Sequence, residues 1–182
     1  MTDEIRDLSA EEQARLPIFP LPNAVFFPGT TLPLHLFEPR YRKMVEDCMQ
    51  HGPRVVAVTL LRPGWEKDYE GRPPIHETAG VGRIVSHEAL DDGRHDILLR
   101  GLSRVRLEEL DAGDLPYRIG RAEVLKERGS ASPGDVQALL GMASIVVSAV
   151  RRDHPDFSLD VTAQDPPGRI ADAVADRLVS DV

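Results

Sequence analysis

The sequence predicts an α+β fold with segregated elements: a β-rich stretch of about 125 residues holding one internal helix, then a helical C-terminal portion. Three observations carry this. Strand-like patterns fall almost entirely before Leu125, and only one segment there, Pro39 to Gln50, has helical periodicity. A polar linker, KERGSASPGD, then gives way to two helical patterns. Strands and helices do not alternate as in βαβ units, and there is no internal repeat.

The elements follow in order. SAEE, Ser9 to Glu12, has the capping-box pattern and predicts a short helical turn before Leu16. The prolines of LPIFPLPNAVFFPGTTLPLHLFE exclude a helix and a regular central strand, so short extended pieces joined by turns are expected. Pro28-Gly29 suits the two central positions of a type II turn, and Pro33 places Leu32 to Phe37 at an edge, a strand start or a bulge. From Pro39 to Gln50, Tyr41, Met44, Val45, Cys48 and Met49 share one helix face, with Arg42, Lys43, Glu46 and Asp47 on the other. RVVAVTLL, Arg54 to Leu61, reads as a buried strand. A long loop, RPGWEKDYEGRPPIHETAG, follows and carries the only tryptophan, Trp65.

VGRIVSHEAL and HDILLRG form a hairpin around Asp92-Gly93, and SRVRLEEL and YRIGRAEVL supply two further strands, the last ending near Leu125. Ser132-Pro133 opens a helix running to about Arg152, apolar nearly all round from Leu139 to Val150. Asp165-Pro166-Pro167 opens another, with Ile170, Ala171, Val174, Ala175, Leu178 and Val179 on one face. The expected division is 1–125 for the β-rich part and 126–182 for the helical part.

Composition narrows the function. With 22 Lys+Arg against 30 Asp+Glu the net charge is -8, which argues against nucleic acid as a partner. A single cysteine, Cys48, allows no intramolecular disulfide and suits a reducing compartment. The acidic N-terminus has no apolar signal core, and the apolar run Gly141 to Val150 is too short to span a bilayer. A cytoplasmic protein without a membrane partner is expected.

Catalytic patterns fail one after another. There is no phosphate loop. HEALD, His87 to Asp91, begins like a zinc helix, but Asp91 replaces the second histidine and the segment reads as a strand. The six histidines lack ligand spacing, so each is expected to be a surface or satisfied partly buried side chain, with His35 a hydrogen-bonded structural one. GLSRV lacks the final glycine of a nucleophile elbow, and Cys48 falls on the core face of its helix. Neighbouring carboxylates such as Glu108-Glu109 point to opposite faces of a strand. No catalytic residue, cofactor or metal is expected.

For binding, the PxxP of Pro17 to Pro20 sits among apolar residues that favour burial. Arg100, Arg104 and Arg106 form a strip without interleaved aromatics, which reads as a solvated strand face. Trp65 and Tyr69 are the better contact candidates, with the alternative that they fold the loop back on the body of the protein. Phe26 and Phe27 would border a groove if their turn leaves one of them exposed.

LPIFPLPNAVFFPGTTLPLHLFEPRYRKMVEDCM resembles the opening of the Lon protease N-terminal, substrate-binding domain. GVGRIV, DDGRHDILLRGLSRVRL with Gly101 and Arg104, and DPPGRIADAVADRLV continue the resemblance from Leu16 onward. It implies a PUA-like β-barrel with a helical C-terminal portion and a stand-alone, non-catalytic module that binds unfolded polypeptide or a protein partner. Lon's ATPase and Ser-Lys peptidase modules have no counterpart in these residues. A PUA-like nucleic-acid or small-ligand binder is the alternative. The oligomeric state is not set by the sequence.

Overall fold

The computed structural model describes residues 8–69 and 71–178. The chain forms two compact units, Met1–Leu125 and Lys126–Val182.

In the first unit, α1 (Ala10–Ala14) opens with the expected capping box: Ser9 accepts from the Glu12 amide at 3.2 Å, and Glu12 accepts from the Ser9 amide at 2.8 Å. The other Glu12 oxygen accepts from Arg83 at 3.0 Å, tying the helix to a strand. Six strands follow, with one helix among them: β1 (Leu16–Leu21), β2 (Thr31–Leu36), α2 (Pro39–Gln50), β3 (Val55–Leu61), β4 (Ile75–Ala89), β5 (His95–Leu110) and β6 (Arg118–Val124). The sheet order is β2-β5-β4-β3-β1-β6, and β6 also pairs with β5, so the sheet curls into a near-closed ring. The first half of β5 carries β2 as an edge, and its second half carries β6.

Both faces of β3 are buried, which is why its sequence is continuously apolar. Val56 and Val58 pack with Met44, Val45 and Cys48 of α2. Val55 and Ala57 pack with Leu16, Ile18, Val81 and Val105. The predicted face of α2 is the buried one, with Met49 half-buried at its margin.

The prolines of β1 behave differently from expectation. This strand is flanked on both sides, by β6 at Leu16–Ile18 and by β3 at Ile18–Leu21. Pro17 therefore has an open edge on the β3 side and Pro20 one on the β6 side. Successive N–H groups alternate between strand edges, so residues three apart address opposite edges, and each missing donor fits an unpaired one. Pro33 lies on the edge strand β2, as expected.

Pro28-Gly29 forms the predicted turn: the Thr30 amide donates to the Phe27 carbonyl at 3.3 Å, and Gly29 has φ 77°. The turn is stitched to β5, since the Gly29 amide donates to Gly101 at 3.0 Å and the Gly101 amide to Thr30 at 2.9 Å. Phe26, just before it, is buried over Gly80 and Gly82 of β4.

Two boundaries are corrected. The long loop ends at Pro74, not Gly80, because His76, Glu77 and Thr78 are exposed strand residues whose polarity imitates a loop. Buried Thr59 donates to the His76 carbonyl there at 2.6 Å. HDILLRG and SRVRLEEL are one strand, β5, running through Gly101 with an irregularity against Val81/Gly82. Gly101 makes room for the Phe27-Pro28 backbone instead of ending a strand.

The second unit contains α3 (Pro133–Val150), capped by Ser132 and Asp135, and α4 (Pro167–Leu178), which packs on it. Taken whole, α3 is long and apolar enough to cross a membrane by length and composition, which its second half alone is not. Met142, Ile145 and Val146 on it are exposed. On α4, Ile170 is buried and Val174 and Ala175 are half-buried, but Ala171 is exposed and Asp172 is buried in its stead. The buried side thus turns one residue away from the predicted stripe. Val179 lies outside the described residues, as do the first seven residues of the acidic N-terminus.

Candidate functional site

A pocket of about 330 Å³ opens in the first unit where five segments meet. Pro20 lies next to the end of β1, Arg40 and Tyr41 in the first turn of α2, and Leu61 ends β3. Tyr69, Gly71, Arg72 and Pro73 come from the β3–β4 loop, and Leu115, Pro116, Tyr117 and Arg118 from the approach to β6. All three tyrosines of the chain line it, with three arginines.

Local sequence explains how the wall is built. Pro39 at the first helical position sets the entry of α2, so that Glu38 and Arg40 flank it and Tyr41 points to the core. Tyr41 meets Phe19 edge-on, with ring centroids 4.5 Å apart. The β3–β4 loop includes a short 3-10 turn, Trp65–Asp68, entered through Gly64 at φ 91°. That turn brings Trp65 onto Tyr69, centroids 5.5 Å apart, and delivers Tyr69 to the mouth of the pocket.

Glu38 holds the wall together. It accepts from Arg40 Nε at 3.0 Å and Nη2 at 2.8 Å, and its other oxygen accepts the Tyr69 hydroxyl at 2.6 Å. Arg40 also donates to the Tyr69 carbonyl at 3.2 Å, with its guanidinium 5.0 Å from the Tyr41 ring and 5.3 Å from the Tyr69 ring. Across the pocket, Arg118 donates to Glu109 through Nε at 2.9 Å and to the Pro73 carbonyl at 2.7 Å. Arg72 reaches the same Glu109 only at 3.6 Å.

These contacts shift the titration of the lining. Burial pushes the Tyr41 phenol up to about 12. Tyr69 is raised by its hydrogen bond to Glu38 and by burial, and Tyr117 by burial and by its 2.9 Å hydrogen bond to Asp47. Burial works against the charge on Arg40, but the Glu38 hydrogen bond holds its value above the ordinary one. The pocket is therefore a neutral aromatic and proline surface crossed by fixed guanidinium charges.

The four sequence candidates fall in two places. Tyr69 lines the pocket, and Trp65, half-buried, supports it from behind. Phe26 is buried and Phe27 half-buried at a separate hollow of about 60 Å³, beside Val25, Gly80 and Arg104. Sequence reasoning missed Arg40, Arg72, Arg118, Tyr41 and Tyr117. Each arginine lies within two residues of a proline, in EPRY, GRPP and LPYR, but these are far apart in the chain, and Tyr41 reads as a core residue.

The histidines need one correction. His95 is buried, its Nδ1 3.0 Å from Nε2 of His87, while its Nε2 has no hydrogen-bond partner and lies 3.7 Å from Glu46. Hairpin pairing places His87 opposite Ile97 and so beside His95, which no linear spacing reveals. His35 is hydrogen-bonded, to Asp96 at 2.6 Å, but is exposed because β2 is an edge. Among the described residues no group of three or more His, Cys, Asp or Glu is placed to hold a metal.

The model of the ATP-dependent protease La (LON) substrate-binding domain matches residues 15–182. The chain is 29% identical over 164 residues to Lon protease 2 of Myxococcus xanthus, covering 88% of this chain and 20% of that protein. It is 28% identical over 166 residues to the Lon protease of Anaeromyxobacter dehalogenans, covering 89% of this chain and 19% of that protein. It thus spans about a fifth of the length of these relatives. Its fold is similar to the crystal structure of a Lon N-terminal domain protein from Xanthomonas campestris, with TM-score 0.53 and 26% identity over 75% of this chain and 72% of that one. It is also similar to the N-terminal domain of a Mycobacterium avium complex Lon protease, with TM-score 0.59 over 78% and 70% of the two chains; at 10% identity that likeness bears on the fold alone.

Proposed function

This chain belongs to the ATP-dependent protease La (LON) substrate-binding domain family, and from that membership we propose that it is a non-catalytic module that holds unfolded polypeptide, serving as a cytoplasmic adaptor in proteolysis or protein quality control. The observation that carries this reading is the pocket bounded by Tyr41, Tyr69 and Tyr117 together with three prolines and three arginines. Tyr41 and Tyr117 are buried in its wall, and half-buried Tyr69 presents its ring at the mouth near Arg72; an aromatic anchor with arginine is the combination enriched at protein-binding hot spots.

The nucleic-acid alternative gains no support from the arginines. Of the strip read in the sequence, Arg106 faces Glu123, and on neighbouring β6 Arg118 is bonded to Glu109 and Arg121 to Glu108, so these three cations are compensated. A phosphate backbone needs uncompensated cations.

The test is titration of the protein with a reduced, unfolded model polypeptide, following Trp65 emission. Binding at tens of micromolar or tighter (roughly −6 kcal/mol) is expected. Absence of binding in that range defeats the reading. Turnover of casein-type substrate, abolished by a single substitution, would replace it with a hydrolase.

A further inference from the structure

On the reading of this pocket as a polypeptide site, on which the inference rests, we propose that it receives the carboxy-terminal residue of an unfolded chain, with the free α-carboxylate against Arg72 and an apolar side chain against Leu61, Leu115 and the tyrosine rings. The weak pairing of Arg72 points to an anion. Three guanidinium groups line the pocket, and among the described residues two carboxylates pair with them, while a third, that of Asp68, accepts the Arg72 backbone amide at 3.2 Å. Glu38 is committed to Arg40 and Tyr69. Glu109 gives one oxygen to Arg118 Nε and the other to its Nη2. Among the described residues, the Arg72 guanidinium has only a 3.6 Å approach to that same Glu109, and its side chain is 53% exposed. Among the described residues Arg72 is thus the pocket guanidinium least committed to a carboxylate, and an exposed guanidinium takes a planar carboxylate through paired hydrogen bonds.

The lining selects among carboxylates. Pro20, Leu61, Leu115 and Pro116 offer apolar surface beside that charge. An aspartate or glutamate side chain brings the charge without an apolar group on the same residue. An internal apolar residue brings no charge. A carboxy-terminal apolar residue carries both on one α-carbon. At about 330 Å³, ringed by five segments, the pocket lies at the small end of ligand sites and suits a chain end better than a passing strand.

The test uses the full chain and a short fluorescent peptide ending in leucine, as free acid and as carboxy-terminal amide. A third peptide is amidated with an internal glutamate, and N-acetyl-leucine serves as competitor. The free acid is expected to bind roughly tenfold or more tightly than the amide. Arg72→Gln is expected to erase that difference while leaving the thermal midpoint nearly unchanged, since its ion pair with Glu109 is long and partly exposed. Equal binding of acid and amide overturns the proposal. So does equal binding of the glutamate peptide, which assigns an acidic side chain, or failure of N-acetyl-leucine, which carries the same carboxylate and side chain, to compete at any concentration. If the unfolded polypeptide binds while acid and amide do not differ, the chain-end inference fails and the polypeptide reading stands. If neither the polypeptide nor any peptide binds, the reading itself fails.

Discussion

A β-carbon on Gly82 would stand 2.8 Å from Cζ of Phe26, closer than side-chain atoms approach one another. The buried ring occupies the space that the glycine leaves, and Gly80 beside it gives the same room to the Phe26 backbone. Gly82→Ala is therefore expected to cost about 1–3 kcal/mol through overpacking. Gly141→Ala, on the exposed side of α3 with nothing within 4 Å, is expected to gain roughly 0.5–1 kcal/mol from helix propensity. Thermal unfolding of the two variants should shift in opposite directions.

Tyr69→Phe removes the 2.6 Å hydrogen bond that pins the β3–β4 loop to Glu38. A loss of about 1 kcal/mol is expected, with faster amide exchange at Gly71 and Arg72 and altered emission from Trp65, whose ring rests on Tyr69. Unchanged exchange in that loop would show that Glu38 does not hold it.

Phenolate absorbance should appear late in a base titration, because all three tyrosines are raised. For Tyr41 the folded value of about 12 exceeds the ordinary 10.0, so the folded state keeps the proton more tightly than the unfolded one. Its contribution to stability is complete below pH 10 and is lost as pH rises through about 12. Tyr41→Phe should flatten that part of the stability profile, and an unaltered profile would contradict the burial argument.

Cys48 is buried in the α2 packing, and burial pushes its thiol up to about 12. Alkylation by iodoacetamide at neutral pH is expected to be slow in the native protein and fast in denaturant. Rapid native labelling would show that α2 opens readily.

Periodicity and punctuation made much of the fold legible. The α2 face, the edge position of Pro33, the Pro28-Gly29 turn and the Ser9 and Ser132 caps are all local rules written in adjacent residues. What escaped depends on neighbours distant in the chain. Pro17 and Pro20 fit a flanked strand only because β6 and β3 cover different parts of it. Gly101 reads as a break until the turn packed against it is known. The pocket is the least legible part: Arg40, Arg72 and Arg118 meet through topology, and of its lining only Tyr69 stands out in the sequence as a contact residue.

The ring has a consequence for the chain's birth. Leu16 finds its partner Gly120 on a strand made far later. At bacterial-like elongation rates the wait is on the order of 5–20 seconds. Throughout it β1 lacks its β6 partner, and a nascent chain halted before Arg118 leaves backbone donors and acceptors of β1 and β5 unsatisfied on the sides that β6 covers. High contact order of this kind slows folding and lengthens exposure to aggregation, so a chain ended just ahead of β6 should be far less soluble than one ended just after it, although the two differ only by the seven residues of that strand.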